Sequence, residues 1–254
     1  VNYKRKVNIE LPMELTKVEL SKWIDNVSLD ITMQRKMDGI RAKLISDKGS
    51  ATWYDRSGCI TLPPTAVGRA VKTLPKDVRM ELDGEIIGDQ FFIFDIMVNG
   101  NRRREFLDQF PPIDHPTLKR VPISDDYESP AAFLQEMRDV NAEGVVFREI
   151  PSGKAYKFKF VKQADCIVID INVNGKQNLE LAVWDDQKLV SVGMVSALTG
   201  DGPTATLGDI VQVNYLYSTE SNRLYQPTKP KVRVDKAPEQ CTIDQLLTNR
   251  KGMI

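Results

Sequence analysis

From Ile31 onward the chain is cut into short β-prone segments by turn dipeptides, and this texture constrains the fold more than any other feature. Ile31 to Lys36, Arg41 to Ser46 and Ala51 to Asp55 are separated by Asp-Gly and Lys-Gly. Arg79 to Ile87 and Phe91 to Val98 read as a strand pair joined at Gly88-Asp89, and Gly144 to Arg148 and Ala155 to Val161 as two more strands. Helices are few. One is expected over Glu14 to Asp25, with Leu15, Val18 and Trp23 on its apolar side, and another from Pro63-Pro64 through Val71. A third opens with Ser129 as N-cap and Pro130 at the first helical position, followed by Phe133, Leu134, Met137 and Val140 at helical spacing. After about Lys162 the helices stop. Ile167 to Val173, Leu179 to Trp184, Leu189 to Met194 and Ile210 to Tyr217 are strands with turns between them, a pattern that suits a small, closed or partly closed β-barrel. The expected class is α+β in two domains, 1–161 mixed and 162–254 mostly β.

Composition removes several functional classes. A chain of 254 residues can bury a core without disulfides. Its 35 basic and 35 acidic side chains cancel, which argues against a polycation that coats nucleic acid by bulk attraction. Basic groups gathered on one face are still compatible with that balance. The most apolar run, Phe91 to Val98, is short and carries Asp95, so it does not span a bilayer. The opening Val1-Asn2-Tyr3-Lys4-Arg5-Lys6 has no apolar stretch behind it and does not read as a signal peptide; the first residue is not Met, so residues upstream are left open. Cys59, Cys166 and Cys241 are odd in number and form no CxxC pair, and with His115 as the single histidine they do not suggest a structural zinc site. Free thiols in a reducing compartment are expected, which places the protein in the cytoplasm.

Lys36-Met37-Asp38-Gly39-Ile40-Arg41 carries the chemical information. Lysine, aspartate, glycine and arginine at four such positions arise by chance in roughly 1 of 500 chains of this length. Taken alone, Asp-Gly is also ordinary hairpin chemistry. Further segments follow in order: Glu81-Leu82-Asp83-Gly84-Glu85 at a strand end, Phe92-Ile93-Phe94-Asp95, Glu143-Gly144-Val145-Val146-Phe147-Arg148, Tyr156-Lys157-Phe158-Lys159, and Arg233-Val234-Asp235-Lys236. The chemistry of these types is coherent. A lysine amine becomes a nucleophile once desolvation and neighbouring cations free its lone pair. Lys157 and Lys159 alternate with apolar residues, so both face one side of a strand, from which they are expected to disfavour protonation of Lys36. Glu85 and Glu143, each expected to close a strand, form the kind of carboxylate pair that suits Mg²⁺ beside polyphosphate.

This series resembles the covalent nucleotidyltransferases: ATP-dependent DNA ligases, RNA ligases and mRNA capping enzymes. The match runs over six collinear motifs from Lys36 to Lys236 and implies an adenylyltransferase domain followed by an OB-fold β-barrel. The resemblance makes Lys36 the residue that takes AMP from ATP. Arg41 and Arg56 would hold the nucleotide and the 5′-phosphate of the substrate, with a surface arginine the ordinary alternative for Arg56. Phe94 would stack on the purine, with a core phenylalanine the alternative, and Gln34 stands where these ligases often have Glu and would address adenine. Glu85 would reach the ribose and, with Glu143, the metal; whether Asp83 or Glu85 does more is open, and Asp38 is either a metal or nick ligand or simply a turn residue. Lys157 and Lys159 would neutralise phosphate, and Arg233 and Lys236 would orient the leaving pyrophosphate. Six cations, Lys36, Arg41, Lys157, Lys159, Arg233 and Lys236, would converge.

Within the superfamily, Glu143-Gly144 and Phe158 favour a ligase over a capping enzyme, which usually has Asp-Gly and a Trp at those places. Thirty-five residues before Lys36 leave no room for a nicotinamide-binding domain, so ATP is the expected donor, with Mg²⁺ or Mn²⁺. The β-rich tail with Arg233 and Lys236 points to a minimal two-domain DNA ligase acting as a monomer on nicked double-stranded DNA, with no membrane partner. Arg102-Arg103-Arg104, Lys4-Arg5-Lys6, Arg56, Lys229 and Lys231 are the candidate phosphate contacts. An RNA ligase or capping-type transferase is the alternative enzyme, and a non-catalytic OB-fold nucleic-acid-binding protein the alternative outside catalysis.

Overall fold

Alternation of apolar and polar side chains folds the first part of the chain into two sheets. The structure, a computed structural model, describes residues 7, 9–26, 31–102, 115–123, 129–149, 152–172, 178–197 and 205–246. Two compact units divide it, Val1–Phe158 and Lys159–Ile254. The division falls inside the strand Ala155–Lys159.

In the first unit, the smaller sheet has the order β1 (Met13–Glu14), β11 (Ala155–Lys159), β10 (Gly144–Glu149), β2 (Ile31–Arg35). The larger sheet has the order β5 (Ile60–Thr61), β4 (Ser50–Asp55), β3 (Ile40–Asp47), β6 (Met80–Ile87), β7 (Gln90–Val98), β8 (Asn101–Arg102), and β9 (Leu118–Arg120) lies parallel to β7. Leu44, Leu82, Phe91, Ile93 and Ile96 of this sheet are fully or almost fully buried and pack against Val67, Ala70 and Leu74, in and just after α2 (Thr65–Ala70). The third helix, α3 (Pro130–Asp139), starts as its sequence dictates: Ser129 accepts from the Ala132 N–H, Pro130 opens the helix, and Phe133, Leu134 and Met137 are buried.

Two expectations are corrected here. The first helix, α1 (Lys17–Asn26), does not begin at Glu14. Thr16 and Glu19 cap it reciprocally: the Glu19 N–H donates to Thr16 Oγ1 at 3.2 Å and the Thr16 N–H to Glu19 Oε2 at 2.8 Å. That leaves Met13 and Glu14 to pair with Tyr156 and Lys157 as a parallel strand. Leu20 is the buried residue of the helix, whereas Val18 is 65% exposed. The second correction concerns Asp38-Gly39. The flanking strands β2 and β3 belong to different sheets, so Lys36 to Gly39 is a crossing segment and not a hairpin turn.

The second unit holds one antiparallel five-stranded sheet, in the order β14 (Lys188–Ser196), β13 (Asn178–Asp185), β12 (Lys162–Asn172), β15 (Ile210–Tyr215), β16 (Thr228–Val232). Register shifts interrupt three of its ladders, and such bulges bend strands. The edge strands β14 and β16 approach each other, yet no ladder joins them among the described residues. Among the described residues the sheet is not closed, which leaves the partly closed of the two expected barrel forms. Its core gathers Cys166, Leu181, Val192, Val211 and Tyr215. Cys166 and Cys241 are buried free thiols and Cys59 a half-buried one. No helix among the described residues is long and apolar enough to cross a membrane.

Candidate active site

A cleft of about 440 Å³ in the first unit is lined by residues from both of its sheets. The smaller sheet supplies Met13, Gln34, Arg35, Val146, Arg148 and Ala155; the larger supplies Arg41, Asp83, Glu85, Phe94 and Asp95; Lys36 and Met37 come from the segment that crosses between them. A polar lining on an apolar frame of this size suits a small-molecule ligand.

Lys36 is held in place by its strand and by one carboxylate. Its N–H donates to the Gly144 carbonyl at 2.9 Å, continuing the β2–β10 pairing. Its Nζ lies 2.5 Å from Glu143 Oε2 and 3.3 Å from the Met37 carbonyl. The side chain of Glu143 is 4% exposed, so the pair is out of bulk water. The nearest charged partner of the Lys36 amine is thus a carboxylate, not the cations expected from sequence. Glu143 also precedes β10 and Glu85 lies within β6, so neither closes a strand.

Gly39 and Gly84 make the opposite wall possible. A Cβ on Gly39 would stand 2.6 Å from Ile87 Cγ1 and 2.7 Å from the Ile86 carbonyl oxygen, so only glycine lets the crossing segment lie on β6. That approach lets the Gly39 N–H donate to Glu85 Oε2 at 2.7 Å. Gly84, between Asp83 and Glu85, would put a Cβ 2.3 Å from the Phe92 carbonyl oxygen. Asp83 and Glu85 are two apart on one strand and share its cleft face. Burial pushes the Glu85 carboxyl up; Lys36 and the Gly39 N–H oppose that shift, and the negative charge of Glu143 adds to it. Burial likewise raises Asp83, against the pull of Arg41.

Arg41 grips Asp83 through Nε at 3.0 Å and Nη2 at 2.7 Å, and Nη2 also donates to the Glu10 carbonyl at 2.9 Å. Its guanidinium covers one face of the Phe94 ring at 5.0 Å from the centroid. Phe94 is half-buried and lines the cleft rather than the core. Gln34 is buried, and its Nε2 donates to the carbonyls of Phe94 at 3.2 Å and Val121 at 3.3 Å, which turns the amide oxygen away from those two carbonyls.

Other candidates lie elsewhere. Lys157 pairs with Glu14 at 3.2 Å. Arg56 is exposed in the turn after β4 and does not line the cleft. Asp38 is half-buried in the crossing segment, and no group of three or more His, Cys, Asp or Glu among the described residues forms a ready metal cluster. Two carboxylates near enough to influence each other still fit a cation that takes its remaining ligands from phosphate. Arg102 lies in β8; Lys4, Arg5, Lys6, Arg103 and Arg104 fall outside the described residues.

In the second unit, Lys159 Nζ donates to Gln226 Oε1 at 3.4 Å, and Lys229 and Lys231 are exposed on β16. Arg233 forks onto Asp235 through Nε and Nη2, both at 2.7 Å. Its Nη1 meets Asp165 Oδ1 at 3.3 Å, and Lys236 Nζ meets Asp165 Oδ2 at 2.7 Å. Sequence reasoning missed Asp165, and also the contact of Asp95 with Arg148 at 3.7 Å. For Asp95 the available signal was a lone acid inside an apolar strand run, which needs a buried partner; Asp165, after Lys162-Gln163-Ala164, carries no such mark.

Neither a protein-family model nor a curated protein sequence matches the chain. Solved structures do resemble it. One named Pmar-Lig_Pre is 13% identical, with a TM-score of 0.66 over 89% of this chain and 67% of that one. One from a structure–function analysis of Lig E DNA ligases, described as DNA binding with a minimal scaffold, is 16% identical, with a TM-score of 0.60 over 89% of this chain and 100% of that one. At these identities the likeness is one of fold, and the α+β fold of this chain is the fold of those ligase structures.

Proposed function

We propose that the chain is an ATP-dependent DNA ligase that seals nicks in duplex DNA through a lysyl-adenylate and a DNA-adenylate. The observation that carries this reading is the cleft itself, where Lys36 meets Glu143 beside Glu85, Arg41, Phe94 and Gln34 on a fold shared with DNA ligase structures.

In the first step Lys36 Nζ bonds to the α-phosphorus of ATP as the bond to the β-phosphate oxygen breaks and pyrophosphate leaves. The amine must first lose a proton, and Glu143 Oε2 at 2.5 Å is the acceptor in reach. Phe94 and Gln34 receive the base, and Arg41 is kept in position by Asp83. Arg233 and Lys236 orient the leaving pyrophosphate, and Lys157 and Lys159 offset phosphate charge. Glu85 and Glu143 would hold a divalent cation, which supplies neutralisation of the polyphosphate. AMP then passes to the 5′-phosphate of the nick, held by Arg56. Finally the 3′-hydroxyl attacks that phosphate and expels AMP. Each step is an in-line displacement, so positioning and charge neutralisation do most of the catalysis.

The test is incubation with Mg²⁺ and labelled ATP or GTP, followed by peptide mapping. Covalent AMP on Lys36, lost in Lys36→Ala and chased by nicked duplex DNA into a sealed strand, is expected. No label with either nucleotide overturns the enzymatic reading. Label from GTP alone favours a capping-type transferase, and a chase that succeeds only on nicked RNA makes the protein an RNA ligase.

A further inference from the structure

We infer that Asp165 is a positioning residue for nucleotide attack: it fixes the segment that carries Arg233 and Lys236. The inference rests on the ligase reading above and concerns residues of the second unit alone.

Asp165 lies on β12 opposite Gln212 of β15, between Ala164 and the apolar run Cys166-Ile167-Val168-Ile169. Its side chain is 8% exposed. A carboxylate at that depth requires compensation, and it has three donors: Lys236 Nζ at 2.7 Å, Arg233 Nη1 at 3.3 Å and Gln212 Nε2 at 3.4 Å. Its main chain is fixed as well. The Asp165 N–H donates to Gln245 Oε1 at 2.8 Å, and Gln245 Nε2 donates to the Asp165 carbonyl at 2.9 Å. The carboxylate is thus an anchored point in the sheet.

The segment it holds is tied to the sheet through the Arg233 main chain and is exposed beyond it at Val234 and Asp235. Arg233 follows the last residue of β16, its N–H donates to the Ile210 carbonyl at 2.8 Å, and Val234 beyond it is 96% exposed. Asp235, the other partner of Arg233, is itself exposed and belongs to the same segment, so it shapes the guanidinium without tying it to the sheet. Among the described residues, Asp165 is the one acid that touches both cations and belongs to the framework. Losing its charge would leave two cations facing an amide that accepts from one and presents N–H groups to the other. The cations would then sample many positions, and the step that needs both at a leaving pyrophosphate would slow.

The experiment compares wild type, Asp165→Asn, Lys236→Met and the double variant in the full chain. It measures the rate of self-adenylylation against ATP concentration, the rate of sealing a pre-adenylylated nick, and the melting temperature. Asp165→Asn is expected to lower kcat for self-adenylylation roughly ten- to hundredfold, with less effect on KM and on sealing. Asp165→Asn is expected to slow Lys236→Met by less than it slows the wild type, because the Lys236 contact is lost in either case and only the Arg233 contact is left to lose. Equal losses in both reactions, additive effects, or a faster first step overturn the inference. If Asp165→Asn does not fold, Gln245→Ala loosens the main-chain anchor with the carboxylate intact. It is expected to give a smaller loss confined to self-adenylylation, and an equal loss in both reactions overturns the inference. A wild-type chain that takes no label at all would refute the ligase reading instead.

Discussion

A carboxylate changes meaning with its neighbours, and this chain holds both extremes. Asp235, exposed but gripped by the Arg233 guanidinium, is held down to about 2. A depressed carboxyl contributes its pairing above the ordinary carboxylate range, and that contribution is lost as pH falls through the folded value. An NMR titration of the side chain should therefore show Asp235 ionised well below pH 3.8, the ordinary value, and the Arg233 fork released only near pH 2. Glu85 and Asp83 go the other way, because burial favours their neutral forms. Stability they provide is present at low pH and declines as pH rises through their raised values. Glu143 touches the amine of Lys36. Replacing it by glutamine keeps the shape and removes the proton acceptor. Self-adenylylation by Glu143→Gln, read by rapid quench with labelled ATP, should fall roughly 100-fold.

At the scale of elements, the site depends on a strand that runs close to its neighbour. In β6 the bulge beside Gly84 lets Asp83 and Glu85 reach the cleft while Phe91 fills the core behind them. Gly84→Ala would press a methyl group against the Phe92 carbonyl and the Phe91 ring, at 2.3 and 2.6 Å. Urea unfolding should show a loss of about 1–3 kcal/mol, with self-adenylylation impaired even in the folded fraction. Such features separate what could be read in sequence from what could not. The helix at Pro130 was legible because its signals are local: a serine cap, a proline, and apolar residues at helical spacing. The strand pair β6–β7 was legible for the same reason, through alternation and a two-residue turn. The parallel contacts of β1 with β11 and of β9 with β7 were not, since they join segments distant in sequence and leave no periodic mark. Asp-Gly after Lys36 misled because a turn dipeptide reports a change of direction, not which sheet the chain enters next. The residues lining the cleft could be named from their motifs, but Lys36, Lys157, Arg233 and Lys236 each meet an acid supplied by another strand or loop.

For the molecule as a whole, the equality of 35 basic and 35 acidic groups bears on how the proposed ligase would hold DNA. Many of its cations are occupied by carboxylates, as at Lys36, Arg41, Lys43, Arg79 and Arg233. Binding to nicked duplex should then depend on a few exposed cations rather than on an extended basic face. Fluorescence anisotropy across a salt series should give a shallow log–log slope, and Lys229→Ala or Lys231→Ala should each reduce it by about one while weakening binding to all sequences alike. The open sheet of the second unit gives those two lysines another consequence. A closed barrel has no unpaired backbone row, whereas among the described residues no further strand pairs with the outer side of β16, and an unpaired edge is a template for a neighbouring chain. Pro230 removes a donor from that row, and exposed Lys229 and Lys231 flank it with like charge. On the ligase reading, solubility and DNA affinity would therefore draw on the same short strand. Alanine is the informative replacement there, because a β-branched apolar residue would trade weaker DNA binding for edge-to-edge aggregation.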